Sequence, residues 1–309
     1  MDDLTSSVKN DNDPHVCSTP FGLLEHAIRL VPLTVLRRVG VLAASAAWAM
    51  HTRSRVVTET NIQLSFPEIG RDAQRRLARD SLRESGRLLM ESLGVWSRPP
   101  RQVLDWILEV EGAELLAAAE RLGRGVICLV PHFGNWEVLC VYLASRYRFA
   151  TLYEPQRIAW ADRWIANGRG RSGARLWPAT ISGLRSLRRT LTSGYVVGLL
   201  PDQVPAVGLG SAAPFFGRPA LTPTLAWRLA AKSQAPVFMA SARRSESPAG
   251  FSIRIEPFDA GWALLEEGAA LTALNRAIEG VVRHAPEQYQ WEYKRFKHAE
   301  PGMDAYKQL

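Results

Sequence analysis

The sequence predicts an α/β fold: one domain with a mostly parallel central sheet flanked by helices, preceded by a helical N-terminal extension. Two observations carry this. Beyond residue 99, short apolar runs alternate with helix-length segments of 10–15 residues, and no internal repeat or change of composition divides the chain of 309 residues. Ahead of them, "RDAQRRLARDSLRESGRLLMESLGVW" (71–96) places Leu77, Leu82, Leu88, Leu89, Leu93 and Trp96 at helical spacing, and "RPP" (98–100) stops it.

Four segments follow. Residues 1–20, polar and acidic at their start, read as a disordered lead-in. Residues 21–98 read as a helical segment, 99–300 as the α/β domain and 301–309 as a tail. Within 21–50, Glu25, Arg29, Arg37 and Arg38 interrupt an apolar stretch, and the uncharged run Val39–Met50 has only 12 residues. That is short of the roughly 18–20 needed to span a bilayer. Such a helix fits lying in a membrane interface, or packing on the domain's own core.

In the α/β domain the strands are "ILEVEG", "GVICLVP", "RFATLYEP", "ARLWPA", "YVVGLLPD", "PVFMASARR" and "FSIRIEPF". The helices are "AELLAAAERLG", "NWEVLCVYLASR", "IAWADRWIANGR", "ISGLRSLRRTLTSG", "TPTLAWRLAAKSQ" (Thr222 as cap, Pro223 at the first helical position) and one near 263–285. Residues 201–220 read as a long Gly/Pro-rich loop, in which Phe215 and Phe216 look like an apolar wall or a membrane-dipping edge.

One stretch concentrates chemistry. In "CLVPHFGNWEVLC" (128–140), His132 falls just past a strand's C-terminal end, the edge where open α/β sheets bind ligands. Gly134 and Asn135 make the turn, and Glu137 follows in the first turn of the next helix. From there its carboxylate is expected to accept from one imidazole nitrogen, leaving the other free as a general base. The helix N-terminus is expected to aim unpaired amides at the same spot. Nucleophile signatures are missing: there is no GxSxG, and Cys128 and Cys140 read as core residues. No HExxH or CxxC spacing calls for a metal, and no cofactor is expected. A base without a protein nucleophile points to deprotonation of a substrate hydroxyl.

Lys+Arg 38 against Asp+Glu 30 gives a net charge of +8, which favours an anionic partner such as an acidic lipid surface or an acidic carrier protein. The charge is concentrated: Arg157, Arg163, Arg169, Arg171, Arg175, Arg185, Arg188 and Arg189 share their segment with one acid, Asp162. "GRGRSG" (168–173) matches GxGxxG, but follows a helix rather than a strand. No nucleic-acid module is present and the arginines lack interleaved aromatics, which argues against a nucleic-acid partner. Three cysteines with no CxxC pair fit a reducing compartment. Asp202, at a strand end in "LLPDQ", reads as a substrate-positioning carboxylate, with Gln203 beside it.

Taken in order, "NIQLSFPE" (61–68), "HFGNWE" (132–137), "LYEP" (152–155), "NGRGRSGA" (167–174), "LLPDQ" (199–203), "PFFGRPALTPT" (214–224) and "PEQYQWEYKRFK" (286–297) resemble the bacterial lipid A biosynthesis (late lauroyl/myristoyl) acyltransferase family, within the HxxxxD/E glycerolipid acyltransferase superfamily. The resemblance implies an acyltransferase-type domain that moves a fatty acyl chain from a thioester, on acyl carrier protein or coenzyme A, to a glycolipid hydroxyl at the cytoplasmic face of the inner membrane. It implies His132 as general base, Glu137 as its orienting partner, Arg169 and Arg171 with Asn135 at the oxyanion or substrate phosphate, and Asp202 and Gln203 at the substrate. The chain departs from the family pattern at Tyr153-Glu154-Pro155, where the family has Tyr-Arg-Pro, at Tyr293, where it has histidine, and in its N-terminal segment, which matches a single spanning helix poorly. These departures keep a second acceptor class open beside the lipid A precursor: a lysophospholipid, an ornithine-type lipid or a specialised metabolite hydroxyl.

Overall fold

The computed structural model describes residues 20–297 and 305–306. Residues 1–19 of the expected lead-in and the rest of the tail lie outside the described residues. The chain opens with α1 (Pro20–Leu30), α2 (Leu33–Ala49), α3 (Arg53–Ser65) and α4 (Arg71–Ser97), then a short α5 (Pro100–Leu104). There follow β1 (Ile107–Glu111), α6 (Ala113–Arg121), β2 (Val126–Leu129), α7 (Trp136–Arg146), β3 (Phe149–Tyr153), α8 (Ala159–Gly170), β4 (Arg175–Pro178), α9 (Ile181–Thr192) and β5 (Val196–Leu199). After β5 come β6 (Gly210–Phe215), β7 (Arg218–Pro223), α10 (Leu225–Ser233), β8 (Val237–Glu246), β9 (Ala249–Pro257) and α11 (Glu267–Arg283).

The expected central sheet has seven strands in the order β1-β9-β8-β2-β5-β3-β4. Strands β8, β2, β5, β3 and β4 run parallel, while β8 and β9 pair antiparallel, so β9 and β1 run the other way at one edge. Strand β2, in the middle, is a run of Val126, Ile127, Cys128 and Leu129 with every residue buried. A parallel strand covered on both faces demands such a run.

The N-terminal segment differs from a single helix: α1 and α2 meet at an angle of 108°. No single helix among the described residues is long and apolar enough to cross a membrane, though this bent pair reaches the necessary length and composition together. Helix α2 packs on α4 at a close crossing, where a Cβ on Gly40 would sit 2.2 Å from the Gly86 carbonyl oxygen. Helix α4 ends where expected, because Arg98 precedes Pro99 and takes extended backbone (φ −107°, ψ 152°).

The loop expected over 201–220 is largely a hairpin. Strands β6 and β7 pair antiparallel with Phe215 opposite Arg218, so the turn is Phe216-Gly217, both at positive φ (49° and 70°). That is a two-residue turn of the primed type, usually signalled by Asn-Gly. Phe216 holds this conformation because its ring is walled in by Phe66, Phe215 and Trp291 at centroid distances of 4.9–5.7 Å. Phe215 and Phe216 are 0% and 7% exposed, so neither forms an outer edge. The hairpin also takes Thr222 and Pro223 into β7, and α10 begins only after Thr224, whose hydroxyl donates to the Leu209 carbonyl rather than capping the helix.

Candidate active site

Strand register builds the site. Leu129 of β2 lies opposite Leu199 of β5, and His132 and Asp202 each stand three residues beyond. The two parallel strands therefore deliver the imidazole and the carboxylate to one point of the sheet edge. Asp202 Oδ2 accepts from the His132 backbone N–H at 2.8 Å, and Oδ1 lies 2.7 Å from ring Nδ1. Asp202 is 1% exposed. Burial works against its ionisation, but the charge of His132 and two hydrogen bonds from that residue outweigh it, holding the carboxyl below its ordinary range.

The imidazole's partner is thus Asp202 rather than Glu137. Asn135 caps α7, its Oδ1 accepting from the backbone N–H groups of Glu137 and Val138, each at 3.1 Å. The cap turns Glu137 toward α4 and α8. There its carboxylate accepts from Arg169 Nε at 3.0 Å and Nη2 at 2.5 Å, and from the Trp96 indole at 3.0 Å. Burial opposes the charge on Glu137, yet Arg169 and the indole prevail and keep its carboxyl low. The same cap occupies two of the helix amides expected to be free for an anion, those of Glu137 and Val138. Asn135 is wholly buried, and its other side-chain atom, Nδ2, donates to Glu91 at 3.0 Å, so it is unavailable to substrate.

The other expected site residues divide. Arg169 and Gln203 line the same cavity as His132. Arg171 does not: it donates to the Trp96 carbonyl at 2.5 Å and pairs with Glu25, tying α1 and α4 to the end of α8. Asp202 holds His132 instead of reaching for substrate. Tyr293 accepts from the Val204 backbone N–H at 3.0 Å and so pins the segment that follows Asp202 and Gln203.

The cavity measures about 870 Å³. Leu82, Leu88, Leu89, Leu152, Ile165 and Leu225 give it an apolar wall, and Ala43, Ala44 and Ala47 of α2 close one side. Cys140 lines it as well, but burial pushes its thiol up to about 12, as it does that of Cys128. Neither thiol is a nucleophile at neutral pH.

Behind the turn lies a buried charge network with no counterpart in the sequence reading. Glu91, 0% exposed, accepts from Arg37 Nε at 2.6 Å and from Arg244 Nε and Nη2 at 2.7 and 2.6 Å. Arg244 also donates to Glu84 at 2.5 Å and to the Gly134 carbonyl at 3.4 Å. The signal was available: an arginine on the buried side of "PVFMASARR" requires a buried anion. Gly134 itself has φ +60°, and a Cβ there would sit 1.9 Å from the Ala242 carbonyl oxygen. Only glycine fits.

The bacterial lipid A biosynthesis acyltransferase family matches residues 22–298. The chain belongs to that family. The acyltransferase is 26% identical over 286 residues to the lipid A biosynthesis lauroyltransferase of Escherichia coli (strain K12), covering 91% of each chain. It is 27% identical over 274 residues to the palmitoleoyltransferase of the same organism, covering 86% of each. To that organism's myristoyltransferase it is 24% identical over 275 residues, covering 87% of this chain and 81% of the other. These relatives bear out the family resemblance and make the chain an acyltransferase enzyme.

Proposed function

We propose that this acyltransferase moves a fatty acyl chain from the thioester of acyl carrier protein to a hydroxyl of a lipid A precursor or related glycolipid, with His132 as general base. The observation that carries the reading is the His132–Asp202 pair, with the imidazole on the wall of a mostly apolar cavity and the carboxylate buried behind it. With the ring proton on Nδ1 donated to Asp202, Nε2 is left to take the proton of the acceptor hydroxyl. The alkoxide oxygen attacks the thioester carbonyl carbon, and the C–S bond of the tetrahedral intermediate then breaks. The departing thiolate takes back the proton from the imidazolium, which Asp202 stabilises meanwhile. Arg169, held along one edge by Glu137, is the positive charge lining the cavity and supports the developing oxyanion.

The carrier protein as donor is supported by exposed Arg157, Arg163, Arg175, Arg185, Arg188 and Arg189, on and around α8, β4 and α9. A seat on the cytoplasmic face of the inner membrane is supported by α1 and α2. Leu23, Leu24, Leu30, Val35, Val39 and Leu42 are exposed on them, next to the alanines that close the cavity.

The test is acyl transfer by the purified chain from lauroyl- or myristoyl-acyl carrier protein to a lipid A precursor, read by mass spectrometry. Transfer is expected, with a loss of at least roughly 10²-fold in His132→Ala. Wild-type rates in that variant would refute the mechanism.

A further inference from the structure

The segment that follows α11 runs antiparallel to the His132 turn. Gln288 O accepts from the Gly134 backbone N–H at 2.9 Å, the Gln290 backbone N–H donates to His132 O at 3.1 Å, and Phe133 and Tyr289 stand opposite one another. Side chains on such a strand alternate between two faces. Tyr289 and Trp291 enter the aromatic core, 4% and 0% exposed. Gln290 and Glu292 therefore face the other way, into the cavity that His132 lines.

Across that cavity α4 brings Ser85, whose hydroxyl donates to Glu292 Oε2 at 2.6 Å. Gln203 Nε2 donates to Gln290 Oε1 at 2.9 Å. Ser85, Gln203, Gln290 and Glu292 thus form one polar corner beside the base, in a cavity whose remaining wall is largely apolar. Glu292 enters no ion pair with an arginine or lysine among the described residues. Burial raises its carboxyl, offset only in part by hydrogen bonds from Ser85, its own backbone and Gln290, and by the charge of His132.

We infer that Glu292, with Ser85 and Gln290, forms a hydrogen-bonding subsite that positions the hydroxyl-bearing face of the acceptor head group against His132, and that phosphate is excluded from this subsite. This rests on the acyl-transfer reading above. The acidic and basic side chains lining the cavity are His132, Glu137, Glu154, Arg169 and Glu292. Arg169, the only arginine or lysine among them, is bound along two of its nitrogens by Glu137. A phosphate in the polar corner would meet Glu292 with no unpaired arginine or lysine in the cavity lining to offset it, and a desolvated like-charge contact is strongly unfavourable. A sugar or other polyol hydroxyl meets a carboxyl and an amide that accept from it, which is the arrangement a hydroxyl-recognising site needs. Glu154, exposed at the rim of the cavity, makes the same discrimination at the entrance.

The experiment uses the full chain in detergent, with lauroyl-acyl carrier protein as donor. The acceptors are a phosphorylated lipid A precursor and the same glycolipid after phosphatase treatment. Glu292→Ala is expected to raise KM for both acceptors roughly tenfold, since a site group is left unpaired, while kcat and the donor's KM hold. Glu292→Gln, which keeps the shape and an accepting oxygen, is expected to restore acceptor KM to within about threefold of the parent. Ser85→Ala changes the other side of the pair and is expected to raise acceptor KM in the same direction, which covers the case in which Glu292→Ala fails to fold. Dephosphorylation is expected to leave the Glu292→Ala effect unchanged. An unaltered acceptor KM in both Glu292→Ala and Ser85→Ala would overturn the subsite. An effect confined to the phosphorylated acceptor would overturn the exclusion of phosphate. A parent enzyme that moves no acyl chain to either acceptor would instead overturn the acyl-transfer reading itself.

Discussion

Asp202 holds His132 at two points, taking the backbone N–H on one carboxylate oxygen at 2.8 Å and facing ring Nδ1 with the other at 2.7 Å. The bidentate hold fixes ring orientation and tautomer together. Asp202→Asn keeps the shape but can present an amide donor to the ring, favouring the wrong tautomer. A kcat loss of roughly 10²–10⁴-fold is expected, with acceptor KM little changed, measured by steady-state acyl transfer. A loss below threefold would mean that Asp202 does not orient the base.

Glu137 acts on Arg169 rather than on the ring. Glu137→Gln leaves Arg169 without its anion in a mostly enclosed place, and a stability loss of roughly 3 kcal/mol is expected in a denaturant melt. The kcat defect should be matched by Arg169→Met and should not add to it in the double variant. Additive defects would assign the two residues separate tasks.

The network behind the turn invites a similar test. Arg244→Met removes the cation that Glu91 and Glu84 share, leaving a carboxylate buried with only Arg37 and Asn135 beside it. A cost of about 3–5 kcal/mol is expected. Restoration of stability by Glu91→Leu on that background would show that the cost comes from the stranded charge.

Gly134→Ala meets the Ala242 carbonyl and a backbone conformation hostile to a side chain. Because the turn carries His132 and the α7 cap, activity is expected to fall by at least roughly tenfold, with a stability loss of 1–3 kcal/mol. Circular dichroism and acyl transfer on one preparation would separate the two.

Acid should unfold the protein along a defined limb. Asp202, Glu137 and Glu91 all have carboxyls held below their ordinary values, each by a partner that overcomes burial. Their contribution is complete above the unfolded-chain range of roughly pH 3.9–4.3, and is lost as pH falls through the lower folded values. Melting temperature should therefore drop steeply below about pH 4, and less steeply in Glu137→Gln. An equal slope in both would remove Glu137 from the acid-sensitive set.

Periodicity and punctuation were enough for most of the architecture. The buried run of β2, the amphipathic α4 stopped before Pro99 and the turn that leads into α7 follow from local rules, and His132 at a strand's end was legible from them. Local rules failed where the turn was unusual. Phe216-Gly217 closes a hairpin because aromatic packing offsets a strained backbone, and no nearby residue announces it.

Partnership was a different matter. The sequence placed Glu137 five residues from His132 and Asp202 seventy away, so proximity along the chain favoured the wrong carboxylate. Only the pairing of β2 with β5 sets Leu129 opposite Leu199 and brings Asp202 to the ring, while the Asn135 cap turns Glu137 to Arg169. The sequence by itself determined which strand ends and helix starts exist, because caps, breakers and apolar spacing act within a few residues. Which charges neutralise one another was decided by the tertiary structure, because a buried charge must find whatever counter-charge the sheet register and helix crossings place within hydrogen-bonding distance.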